Sequence, residues 1–245
     1  MTSSTSLVGG QRAALEAVRA GRALEVLVAS EAVGRHALGE ILEASRAAGL
    51  AVREVPRREL EALGAEHQGI AVRYRDPAYL GERDLETYPF EDEDVVVVLD
   101  GITDPQNLGA AARSAEAAGA TMLVTRTRRA GRLTPAAVRA SAGALFHLPL
   151  ARVANIARAV ERLKRAGFSI VGLDGDAPVG VYDAPCPAGR IAIVLGSEGE
   201  GLSRLTREAC DALVSLPMRG KVSSLNASAS LAAVLYAYVV PSRGT

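Results

Sequence analysis

Hydrophobic and polar positions along the chain fall into two rhythms separated by a polar break. In residues 1–75 the apolar segments are short and mixed in type. Residues 10–20 are Ala-rich, and residues 33–48 carry Ile41 and Leu42 among charges; both patterns predict helices. Residues 24–29 (LEVLVA), 51–55 and 69–74 (GIAVRY) predict strands, and Pro56 opens a third helical segment to residue 63. Together they predict a small α/β domain. Residues 76–94 hold Pro77, Pro89 and the acidic run from Glu91 to Asp94, the composition of a linker.

From residue 95 the rhythm changes. The unbroken β-branched run 95–99 (VVVVL) predicts a strand buried on both faces, as in a parallel sheet. Further strands are predicted at 121–125, 168–173, 191–195 and 213–216. Helical patterns fall at 108–118, 135–144, 156–166, 204–209 and 227–238. This alternation predicts a parallel α/β domain over 95–245 with helices on both faces. Ligands of such sheets sit beyond the carboxyl ends of the strands. Polar or Gly-rich segments follow three of them, at Asp100, Gly196 and Pro217.

Composition sharpens this picture at three points. No run of about 18 uncharged apolar residues occurs, so no membrane span is expected, and residues 1–6 lack a signal-peptide layout; the expectation is a cytoplasmic protein. Cys186 and Cys210, with three histidines in all, give no zinc spacing, and the cysteines are expected as buried free thiols. The formal net charge is zero, but it divides into +1 over residues 1–75, −7 over 76–94 and +6 over 95–245. An acidic connector thus masks a basic C-terminal part, compatible with a nucleic-acid partner. Arg126, Arg128, Arg129 and Arg132 form one basic run, suited to phosphate contacts. With only 4% aromatic residues, recognition of folded RNA by shape is expected over stacking of single-stranded bases.

Three loops carry the candidate chemistry. The first runs from Asp100 to Gly109 and on to Arg113; Asp104-Pro105 favours a turn and Asn107 suits a helix N-cap. The second, from Gly196 to Leu202, has three glycines in six residues, which let backbone approach a ligand closely. Its glutamates, Glu198 and Glu200, disfavour an anion and fit a neutral or cationic nucleoside; neither G-x-G-x-x-G nor a P-loop is present. The third, from Leu216 to Ser230, holds four serines and Asn226 within eight residues, more than helix capping requires.

Jointly, these loops resemble the signatures of the SpoU/TrmH family of RNA ribose 2′-O-methyltransferases in the SPOUT superfamily: D-x-x-x-D-P-x-N-x-G-x-x-x-R, L-G-x-E-x-x-G-L and P-M-x-G-x-x-x-S-L-N-x-S. Val8-Gly9-Gly10 and the segment from His67 to Ala71 resemble the L30e-like RNA-binding domain that many members carry. Ala118 and Ala227 depart from the usual residues in packing only. The resemblance implies a SPOUT domain with a trefoil knot, S-adenosylmethionine as cofactor and a homodimer whose site draws on both subunits. Carried over, Gly196, Leu216 and Leu225 contact the cofactor. Arg113 activates the ribose hydroxyl or anchors phosphate, and Asn107, Glu198, Ser224 and Asn226 orient the reactants, with Glu198 the alternative base. The implied target is structured RNA, with a guanosine of 23S ribosomal RNA first. A transfer RNA, resistance methylation of ribosomal RNA, or a non-catalytic role in ribosome assembly are the alternatives.

Overall fold

The computed structural model describes residues 4–32, 38–62, 67–127, 133–221 and 224–243. The chain begins with β1 (Thr5–Gly9), α1 (Gln11–Arg19), β2 (Ala23–Ala29), α2 (Gly39–Ala47), β3 (Ala51–Val55), α3 (Arg57–Ala62) and β4 (Ile70–Arg75). These strands form a four-stranded mixed sheet in the order β1-β4-β2-β3. The amphipathic pattern of α1 has a direct reading: Ala13, Ala14, Ala17 and Val18 form its buried stripe. The edge strand β1 was not predicted, because its five residues include three polar or glycine positions.

The second part contains β5 (Tyr79–Leu80), α4 (Asp84–Thr87), β6 (Val95–Asp100), α5 (Pro105–Ala117), β7 (Met122–Arg126), α6 (Pro135–Ala140), β8 (Leu150–Val153) and α7 (Ile156–Arg165). It continues through β9 (Ser169–Leu173), β10 (Ile191–Gly196), α8 (Arg204–Ala209), β11 (Ala212–Val214) and α9 (Ala227–Val234). All seven strands of its sheet pair in parallel, in the order β11-β9-β10-β6-β7-β8-β5. The run VVVVL is fully buried in β6, and its alternate residues serve opposite layers. Val95, Val97 and Leu99 pack with α5 and α9, whereas Val96 and Val98 pack with Ile156, Val160 and Leu163 of α7.

The acidic segment 76–94 is structured. Tyr79 and Leu80 add the edge strand β5 to the large sheet through β8. Glu82 is bound by Arg158 and Arg162, and Glu86 by Arg162 and Arg165, all on α7. The guanidinium of Arg158 holds the Glu82 carboxyl below the ordinary glutamate range, and Arg165 does the same for Glu86. Much of the local negative charge therefore answers positive charge within the chain. The short strands β5 and β8 escape a periodicity test because two and four residues do not establish a rhythm.

Two features govern the approach to the site. The two parts share a packed interface: Val138 and Phe146 of the larger part complete the core of the smaller one. Phe146 meets Tyr74 edge-on with ring centroids 4.9 Å apart. After β11 the chain returns across the strand ends to seat α9 against α5, and its continuation is tied to the 174–190 segment by Tyr238 Oη donating to Pro185 O at 2.7 Å. The predicted helix over 227–238 is regular only to Val234, after which residues 235–239 widen into a π turn. Neither cysteine forms a disulfide, and both are partly rather than fully buried, since each lies at the margin of a core layer. No described helix is long and apolar enough to cross a membrane.

Candidate active site

The carboxyl ends of β9, β10 and β11 surround a cavity of about 500 Å³, where parallel sheets place ligands. Apolar side chains, among them Leu195, Leu216 and Leu225, share its wall with Asp174, Glu198 and Glu200. Leu225 is 44% exposed, an apolar side chain at a cavity rim with no apolar cover of its own.

The Gly-rich loop closes on itself beside this cavity. Ser197 N donates to Gly201 O at 3.1 Å and Gly201 N to Ser197 O at 3.0 Å. A Cβ on Gly196 would lie 2.1 Å from the carbonyl carbon of Gly201. The glycine is therefore demanded by the loop's own backbone, not only by approach to a ligand. This tight turn projects Glu198 outward, where its Oε1 accepts from Asn107 Nδ2 at 3.1 Å, Asn226 Nδ2 at 2.6 Å and Ala227 N at 3.3 Å. Asn226 Nδ2 also reaches Asn107 Oδ1 at 2.9 Å. One residue from each loop thus meets in a single polar network.

The helix starts explain how the two asparagines become available. Asp104, not Asn107, is the N-cap of α5: its Oδ2 accepts from Asn107 N at 2.9 Å, with Pro105 in the first turn. The predicted cap was one helical turn too late, because Asp-Pro was read only as a turn. Asn107 consequently sits inside the helix with its amide free to bond Glu198. Asn226 does cap α9, its Oδ1 accepting from Ser228 N at 3.0 Å and Ala229 N at 3.4 Å, while its Nδ2 serves the network. The loop glycine Gly109 has a packing role: a Cβ there would lie 2.5 Å from Ala137 O where α5 meets α6.

Of the predicted residues, Gly196, Glu198, Leu216, Ser224 and Leu225 line the cavity, and Asn107 and Asn226 join it through Glu198. Arg113 does not line it. It is exposed on α5 and faces a separate cleft beside α1. Arg126 lies at the end of β7, its Nη2 3.5 Å from Oδ1 of the buried Asp100, whose Oδ2 accepts from Ser203 N. Arg128, Arg129 and Arg132 lie outside the described residues. Sequence reasoning missed Asp174 and Arg207, which line the cavity as an ion pair with Arg207 Nε 2.5 Å from Asp174 Oδ2. A signal was available for Asp174, the first residue past a predicted parallel strand, but none for Arg207. Among the described residues no group of three or more His, Cys, Asp or Glu could hold a metal ion.

The sequence pattern of the SpoU rRNA methylase family matches residues 94–236, and that of the RNA 2′-O ribose methyltransferase substrate-binding domain matches residues 7–80. The chain is 43% identical over 191 residues to the 23S rRNA (guanosine-2′-O-)-methyltransferase RlmB of Photobacterium profundum, covering 77% of this chain and 78% of that protein. It is 42% identical over 239 residues to an uncharacterized tRNA/rRNA methyltransferase of Mycolicibacterium vanbaalenii, covering 96% of this chain and 76% of the relative. The crystal structure of the SpoU methyltransferase AviRb from Streptomyces viridochromogenes, in complex with the cofactor AdoMet, superposes with a TM-score of 0.79 at 29% identity, over 98% of this chain and 90% of that one. With the signature loops joined around one cavity and both domains matched, the chain belongs to the SpoU rRNA methylase family of RNA 2′-O-ribose methyltransferases.

Proposed function

We propose that this protein methylates the ribose 2′-hydroxyl of a guanosine in 23S ribosomal RNA, using S-adenosylmethionine. The observation that carries this reading is the network of Asn107, Glu198 and Asn226 at the edge of the Gly-rich cavity. The identity to RlmB supports the choice of RNA.

The cavity's chemistry fits the cofactor. Its leucines match an apolar adenosine face, and Glu198 and Glu200 place negative charge around a site suited to a cation, while Asp174 is answered by Arg207. Gly196, Leu216 and Leu225 would hold the nucleoside part. When bound, S-adenosylmethionine supplies an electrophilic methyl group on a positively charged sulfur. The chain must then orient a ribose oxygen and help it lose a proton. Three donors fix Glu198 Oε1 in place, so Glu198 holds Asn107 and Asn226 in a set arrangement toward the substrate, and Ser224 stands exposed on the same rim. Arg113 supplies the remaining group. Guanidinium stays protonated at neutral pH, so its simplest role is to bind phosphate and stabilise charge developing on the oxygen.

In this reading residues 1–75 hold RNA, residues 95–245 transfer the methyl group and residues 76–94 connect them. The protein works as a homodimer in which Arg113 serves the cavity of the other subunit. Supporting this are the separation of Arg113 from the cavity within one chain and the exposure of Leu225 and Tyr236. The threaded C-terminal limb of a trefoil knot belongs to the same reading, supported by the bonds that tie residues 181 and 238 to 215 and 185. The Arg126–Arg132 run contacts RNA phosphates. The test is methyl transfer to in vitro transcribed 23S RNA with mass mapping of ribose methylation, alongside calorimetric titration with S-adenosylmethionine. Cofactor binding with a 2′-O-methylguanosine product is expected; absence of cofactor binding overturns the proposal.

A further inference from the structure

Beyond the cofactor cavity, a second cleft of about 350 Å³ lies where α1 of the smaller part meets α5 of the larger. Arg12 and Arg113 enter it from opposite sides, and Glu16, Glu116, Ala142 and His147 complete the wall. Its charges are unequally engaged. Glu16 is already bound, by Arg19 Nη1 at 2.9 Å and by His147 Nε2 at 2.9 Å. Among the described residues neither the Arg12 nor the Arg113 side chain makes a hydrogen bond or an ion pair. The cleft therefore offers two unanswered guanidiniums against one unpaired carboxylate, Glu116.

The floor is built to stay open. Ala142 takes φ of +51°, a conformation that costs a non-glycine residue about 1 kcal/mol or more. It lets the end of α6 fold back, with Ala142 N donating to Arg139 O and Gly143 N to Val138 O. The cleft is thus floored by backbone and small side chains. The docking of Phe146 into the core of the smaller part holds its two walls together. Two planar guanidinium forks facing one concavity match an anion with several acceptor oxygens.

We infer that Arg12 and Arg113 together grip one backbone phosphate of the substrate RNA, so that the RNA-holding domain and the catalytic helix read the same nucleotide linkage. Arg12 becomes a positioning residue for the reaction, setting the register between bound RNA and the reacting ribose. This rests on the RNA-methylation reading above.

The test measures binding of fluorescently labelled 23S RNA transcript across a salt series for the full-length protein and its Arg12→Ala, Arg12→Glu, Arg113→Ala and Arg12→Ala/Arg113→Ala variants. Thermal melts and S-adenosylmethionine titration check that each variant folds and keeps its cavity. We expect Arg12→Ala to weaken RNA binding about 3- to 10-fold at low salt and to lower the log–log salt slope by less than about 0.9, one phosphate's worth, because Arg113 stays on that phosphate. Arg12→Glu should weaken it further, with cofactor affinity unchanged in all variants. Because both arginines share one phosphate, the double variant should bind RNA more tightly than the product of the single losses requires. RNA affinity and slope unaltered in Arg12→Ala, or single losses that multiply, overturn the shared grip while leaving methylation itself intact. A wild-type protein that binds no RNA overturns both this inference and the functional reading beneath it.

Discussion

Asn107 and Arg113 lie on one helix, six positions apart, in opposite circumstances. The side-chain amide of Asn107 is pinned between Glu198 and Asn226, whereas Arg113 extends into an open cleft without a partner among the described residues. A third set, Arg158, Arg162 and Arg165 on α7, is ion-paired with Glu82 and Glu86. Arginine abundance alone therefore says little about function in this chain. An arginine whose counter-charge the fold already supplies, as in this third set, is occupied within the chain, and Arg113 is not among these. The pinned network forms within one chain; in the proposed reading, RNA answers the open arginine.

The largest effect should come from breaking the open half. Arg113→Ala is expected to lower the single-turnover methylation rate at saturating RNA by about 10³-fold, within the usual span for a lost catalytic group, with S-adenosylmethionine affinity unchanged. Arg113→Lys separates roles: a phosphate anchor leaves partial activity and a higher Michaelis constant for RNA, whereas two-point alignment of the hydroxyl leaves a lower saturated rate. A near-normal rate for the alanine variant would remove Arg113 from the reaction and leave Glu198 as the candidate base, which Glu198→Gln then tests.

Next in size is Gly196→Val. The backbone of Gly201 and Leu202 occupies the space a side chain would need, so the substitution displaces the whole turn. Calorimetry should detect no cofactor binding at concentrations that saturate the wild type, and the overpacking should cost about 1–3 kcal/mol in urea unfolding. Wild-type affinity in a folded variant would show that the turn does not shape the cavity.

Asn226 joins both functions, cap and network, and can be split. Asn226→Ala should destabilise the protein by about 1 kcal/mol through loss of the α9 cap and also lower the methylation rate. Asn226→Asp keeps the cap but sets a carboxylate against Glu198, so a stability loss that shrinks as pH falls, together with a lower rate, is expected. Equal rates in wild type and Asn226→Asp would remove the network from the mechanism.

The smallest effect concerns the ion-paired arginines. Glu82 is held below its ordinary value of 4.5 in the folded state, with Arg158 the main cause. Its contribution is therefore present above that pH and is lost as pH falls through the lowered folded value. Glu82→Gln should cost at most about 1 kcal/mol at pH 7, since the partner Arg158 is exposed, and the gap to wild type should close on acidification below pH 4.5. A gap independent of pH would assign the effect to packing.

Much of this architecture was legible in the residues. The run 95–99 announced a doubly buried strand, and the three polar loops fell where a parallel sheet places ligands. The meeting of Asn107, Glu198 and Asn226 was implied only by family resemblance, because nothing local in the chain relates positions 107, 198 and 226. Asp104 was overlooked as a cap because a proline follows it, although proline at a first helical position strengthens that assignment. Arg207 was hidden for a different reason: an arginine on a short exposed helix looks ordinary until the fold brings it to 2.5 Å from Asp174.

Phe146 and Val138 have a further consequence. They are encoded beyond residue 95 but finish the interior of the module encoded before residue 76. Neither module owns its hydrophobic interior outright. A gene fragment for residues 1–75 would yield a sheet lacking part of its filling, and one for residues 95–245 would carry an apolar knob with nothing to cover it. In this chain the two halves therefore share one interior at this joint, and exchanging the front module would leave Val138 and Phe146 in need of a new cover.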